Sequence, residues 1–187
     1  MRLRFPSHHQ TMGERFDFYR QSDEDILGAL TDLGSLQIDR LCHEARQLAA
    51  TFEGLTPRGL AAREGWRIVE ETVLIGDHTG AGIELMGECD FFPGRPAAIM
   101  INRTGIERVS RLALRSVGTF DDAWFHPPSL TDLTISHELY HLLNRAAGDR
   151  VSELAAHVFA RAFTSSPFSP LLLHALLQQD RADRSRN

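Results

Sequence analysis

The chain contains no lysine: all 20 of its basic residues are arginine. Schiff-base catalysis, pyridoxal attachment and a Walker-type phosphate loop each need a lysine amine, so all three are excluded. Cysteine is scarce too. Cys42 and Cys89 are the only two, with no CxxC spacing, and free cytoplasmic thiols are expected rather than a disulfide. Long apolar runs are missing; the longest lies around Leu171–Leu177, far below a membrane span. Met1–His9 has no apolar core of a secretory signal. There is no basic excess either, since the net charge is −5, which argues against a non-specific nucleic-acid binder. Together these absences predict a cytoplasmic protein with no membrane and no direct nucleic-acid partner.

What is present suits a globular domain. The 187 residues are 42% apolar and 24% charged, enough to bury one sizeable core, and no linker or repeat divides them. A single domain over 1–187 is expected, with a polar arm at 1–21 and a polar tail at 180–187.

The first part reads as helical. Ser22 with Asp25 opens a short helix, Gly34-Ser35 breaks it, and a longer one runs to about Phe52. Gly54 closes that one, Thr56-Pro57 opens a third and Gly65 ends it. From Trp66 to Ile75 the period becomes two and β-branched residues are dense. Turn residues at 76–80 and 92–96 then separate two more strands, Ala81–Cys89 and Ala97–Ile101, so an antiparallel meander is the default. Thr104 with Glu107 reads as a capping box for a helix to about Val117, followed by a loop to Ser129. The prediction is an α+β fold with helices packed on a small three-stranded, mainly antiparallel sheet.

The chemistry concentrates in His137-Glu138-Leu139-Tyr140-His141, an HExxH motif. Residues four apart on a helix share a face, so His137 and His141 can aim two imidazoles at one ion, with Glu138 in reach of a water as general base. The motif needs a helix, and Ser129 with Asp132 supplies a start signal while Leu130, Leu133, Leu139, Leu142 and Leu143 supply an apolar side. The helix is expected over 130–146, with Gly148 after its end.

A catalytic zinc usually takes three protein ligands. The third should come from the next helix, capped by Asp149 or Ser152 and running to about Phe163. Asp149, Glu153 and His157 are the candidates, and Ala155, Ala156 and Ala160 would let the two helices approach closely. Metzincin spacing is absent, because Leu142–Ala147 lacks the required glycine and third histidine.

Leu133–His141 resembles the F-T-I-A-H-E-L-G-H segment of the ImmA/IrrE family of small gluzincin-like metallopeptidases. Glu153–Ala160 resembles that family's E-x-x-A-N-x-F-A helix, Ile99–Asn102 its I-x-I-N strand, and Leu48-Ala49 with Gly65 its opening. The resemblance spans roughly 40–167 and is specific at 133–160. It implies a zincin-like (minigluzincin) fold, Zn2+ on His137, His141 and Glu153, Glu138 as base, and a protein or peptide substrate such as a repressor-like regulator. It also implies a strand edge near 97–101 that holds extended substrate. Four departures stand out. Tyr140 replaces a glycine and His157 an asparagine; Phe163–Pro167 replaces an L-L-M-P close; and 103–129 is longer than its family counterpart, as a lid, a substrate-selecting surface or a passive insert.

The function this implies is zinc-dependent peptide hydrolysis by a narrow-specificity regulatory endopeptidase. The oxyanion donor is open among Tyr140, His126, His78 and His157. Two alternatives compete: a catalytically silent zinc-binding regulator or partner-binding protein of the same fold, and a helical interaction protein with a chance motif. An intact Glu138 favours hydrolysis, because retaining zinc does not require a base there.

Overall fold

A computed structural model describes residues 21–72, 86–90, 96–117, 122–144 and 150–173. Three helices come first: α1 (Asp23–Leu30), α2 (Ser35–Ala50) and α3 (Pro57–Arg63). The strands are β1 (Arg67–Glu71), β2 (Gly87–Asp90) and β3 (Ala98–Asn102). Then follow α4 (Arg103–Val117), a 3-10 turn (Asp122–Phe125), α5 (Pro127–Asn144) and α6 (Arg150–Thr164). The α+β expectation holds. The arm at 1–20, the turn with His78, the ends of the first two strands, Asp149 and the tail from 174 lie outside the described residues.

Local chemistry sets the early boundaries as expected. Ser22 Oγ accepts from Asp25 N at 3.1 Å, and Thr56 Oγ1 from Gly59 N at 3.0 Å with Pro57 in the first turn. Gly54 and Gly65 stop their helices at φ +83° and +73°, where a side chain would be strained.

The sheet corrects the meander. Its order is β1-β3-β2, with β1 parallel to β3 and β2 antiparallel to it. The physical reason is burial. Ala98, Ile99, Ile101 and Asn102 are all buried, as a central strand demands, whereas β1 carries exposed Arg67 and Glu70 and suits an edge. With both sides of β3 paired, 97–101 is not the edge expected; among the described residues the outer strands are β1 and β2.

Two helix starts also differ from expectation. β3 runs straight into α4, so buried Asn102 takes the cap, its Oδ1 accepting from Gly105 N at 3.1 Å. Thr104, expected as the cap, donates instead to Thr72 O at 2.8 Å. α5 begins at Pro127, because Pro127 and Pro128 sit in the first turn, where no N–H partner is needed. Ser129 is therefore inside the helix and donates to Ala123 O at 2.8 Å. Within the segment 103–129, Ile106, Val109, Ala113 and Phe125 are core residues.

α5 is the axis of the molecule. Leu130, Leu133, Ile135, Leu139 and Leu142 are buried on different sides of it, against α6, the sheet, α3 and α4. Ala155, Ala156 and Ala160 are buried on α6 and allow the close approach to α5. α1 docks at the far end of α6. The Asp23 side chain is only 2% exposed and takes Arg161 at 3.2 Å and Arg46 at 3.3 Å. Among the described residues no helix is long and apolar enough to cross a membrane.

Candidate metal centre

His137 and His141 are one turn apart on α5, and Glu153 lies in the first turn of α6. The alanines that bring these helices together bring the three side chains together. His137 Nε2 is 3.2 Å from His141 Nε2 and 3.3 Å from Glu153 Oε2; His141 Nε2 is 3.2 Å from Glu153 Oε1. Among the described residues these three form a group able to hold a metal ion. His157 does not join it; its ring packs on that of His137 at 4.5 Å.

Electrostatics match the geometry. The two imidazoles hydrogen-bond to Glu153 and hold its carboxyl well below the usual range, so it is anionic. Glu153 is 49% exposed while both imidazoles are largely covered, so the group opens to solvent on the α6 side. The second ring nitrogen of His141 is 3.3 Å from Ser152 Oγ. A proton on that Nδ1 leaves Nε2 free to ligate, the tautomer a metal ligand needs. The buried Nδ1 of His137 has no such partner among the described residues.

Glu138 follows His137 on α5, the helix that packs on β2. It is only 7% exposed. Burial pushes its carboxyl up, against the opposing pull of His137 and His141. Cys89 of β2 lies near it, and burial together with the Glu138 carboxylate pushes that thiol up to about 12.

The remaining candidates separate cleanly. Tyr140 sits beside the centre, 6.0 Å from the His141 ring and 5.6 Å from Phe159. His126 is exposed at the start of α5, 11 residues before His137 and hence about 16 Å away along the helix. His78 and Asp149 lie outside the described residues.

Two residues beside the centre escape sequence reasoning. Ser152 reads as a helix cap, and only the packing of α6 on α5 turns it toward His141. Cys89 reads as an incidental thiol, and only β2 crossing α5 brings it to Glu138. Comparison of the chain with family models, curated proteins and solved structures finds no match.

Proposed function

We propose that the chain is a zinc-dependent peptidase of narrow specificity, with zinc on His137, His141 and Glu153 and with Glu138 as general base. One observation carries the reading: the two Nε2 atoms are 3.2 Å apart, and the Glu153 carboxylate spans them, with Oε1 3.2 Å from Nε2 of His141 and Oε2 3.3 Å from Nε2 of His137. Zinc bonds of about 2.0–2.1 Å in a tetrahedron require ligand edges of about 3.3–3.4 Å. Two imidazoles and one carboxylate are also a donor set of catalytic zinc, which keeps the fourth position for solvent. The resemblance to the ImmA/IrrE family supports the same ligands and base, and a zincin-like fold.

When bound there, zinc supplies an acidified water and a Lewis acid for the scissile carbonyl. Glu138 takes the proton of the attacking water and delivers it to the leaving amine; its burial raises its basicity toward that task. Ser152 Oγ, 3.3 Å from Nδ1 of His141, would accept the Nδ1 proton of the ligating tautomer. His157 and Tyr140 flank the centre and are the donors available to a developing oxyanion. Among the described residues β2 is an outer strand of the sheet and lies against α5, where its main-chain groups would meet an extended peptide.

The test combines metal analysis with cleavage of a whole-proteome peptide library, products being read by mass spectrometry. One equivalent of zinc and a short list of cleavage sites are expected. Glu138→Gln should keep the zinc and lose turnover by about 10²–10⁴-fold. Zinc without cleavage means a silent metal-binding regulator, and no stoichiometric zinc overturns the metal site itself.

A further inference from the structure

A cleft of about 360 Å³ lies between α3, β1, α4 and the first turns of α5. That volume falls within the range of small-molecule sites. Ile106, Pro127 and Pro128 give it an apolar part. None of its lining residues belongs to the group able to hold a metal ion. On α5, Asp132 stands five residues before His137, which is about 140° round the helix and about 7.5 Å along it. The cleft and the metal group therefore use different sides of one helix.

Both signs of charge line the cleft, and most of that charge is already committed. Arg58 and Glu70 pair across it at 2.5 Å, and Glu107 has Arg111 one turn further along α4, at 4.0 Å. Arg103 and Asp132 are left over: among the described residues neither side chain makes an ion pair or a side-chain hydrogen bond. Each stands where its charge is disfavoured. Arg103 is the first residue of α4, and the partial positive charge of a helix N-terminus opposes a cation there. Asp132 is half-buried, and burial pushes its carboxyl up against the pull of Arg58.

We propose that this cleft binds a small zwitterion of the amino-acid class, its carboxylate on Arg103, its ammonium on Asp132 and its carbon skeleton against Ile106 and the two prolines. A guanidinium fork matches a carboxylate, and a carboxylate accepts from an ammonium; both are strong, charge-assisted contacts. A simple anion would satisfy Arg103 and be repelled by Asp132, and a simple cation would meet the reverse. A ligand carrying both signs satisfies the two together. A free amino acid and a dipeptide share these end groups and differ in the distance between them. The site needs neither zinc nor turnover, so it stands apart from the peptidase reading.

Isothermal titration of the full-length protein tests the proposal, with the standard amino acids and then a set of dipeptides as probes. A single-site isotherm is expected for at least one of them, and the set in which it appears assigns the spacing. The N-acetyl and amide derivatives of that probe lack the ammonium and the carboxylate in turn, and each should bind about tenfold or more weakly. Arg103→Gln and Asp132→Asn should each weaken the parent probe by a similar factor, while Asp132→Asn leaves the affinity of the N-acetyl derivative unchanged. Binding should persist in excess chelator, a control needed because amino acids also ligate metals. The proposal is overturned if no probe binds, if either derivative binds as well as its parent, or if chelator abolishes binding. Unchanged affinity in either variant, with a folded circular-dichroism spectrum, overturns it equally.

Discussion

At the scale of single residues, the centre depends on groups that contribute no ligand atom. Ser152 is the clearest case: its hydroxyl meets the ring nitrogen of His141 that faces away from the ligand group. Ser152→Ala is expected to weaken zinc affinity by about 10- to 100-fold, measured by competition with a chromophoric chelator, without unfolding the protein. Unchanged affinity would show that the tautomer of His141 is set elsewhere. The pairing of His137 with His141 was legible in the sequence because helix periodicity alone puts two imidazoles on one face. Glu153 was legible only as one of three candidates from spacing, because ranking it above Asp149 and His157 requires knowing how α6 turns on α5. The neighbours Ser152 and Cys89 leave no local signature, since each lies across an element boundary.

At the scale of elements, β2 packs closely on α5 at Gly87. Gly87→Ala should destabilise the protein by about 1–3 kcal/mol in urea unfolding, because the new methyl meets Thr134 Cγ2 and a β3 carbonyl at once. Pairing it with Thr134→Ser, which removes that methyl, should recover part of the loss; equal losses in single and double variants would place the strain elsewhere. A second element-level prediction concerns α1. Asp23→Ala leaves Arg161 and Arg46 without their buried partner and should cost about 3–5 kcal/mol. Glu24→Ala, in the exposed half of the same cluster, should cost under about 1 kcal/mol. Most helix boundaries were legible because Ser22, Thr56-Pro57, Gly54 and Gly65 act locally. Strand order was not, because pairing is non-local: nothing within Arg67–Glu71 says that its neighbour is β3 rather than β2. The starts of α4 and α5 were missed for a related reason. Each is fixed by what precedes the helix, a buried strand end at Asn102 and a 3-10 turn before Pro127, and not by the cap signals inside it.

At the scale of the whole molecule, protons and metal should both be linked to folding. Cys42 is fully buried and its thiol is pushed up to about 12. The unfolded chain loses that proton near the ordinary thiol value while the folded chain keeps it. The stability it contributes is therefore complete below about pH 8.5 and lost as pH rises toward 12, by up to about 1.4 kcal/mol per pH unit. Urea midpoints at pH 8 and pH 10 should fall in the wild type and fall less in Cys42→Ala; equal slopes would contradict the assignment. Metal acts in the opposite sense. Zinc at a hundred times its dissociation constant should stabilise the fold by about 2.7 kcal/mol, and a chelator should remove that gain without abolishing the fold. The most direct test of the central claim is an anomalous difference map at the zinc edge from crystals of the metal-loaded protein. It is expected to show one peak bonded by Nε2 of His137, Nε2 of His141 and the carboxylate of Glu153. A map with no peak there, or with the three side chains turned apart around an ordered solvent network, would contradict it.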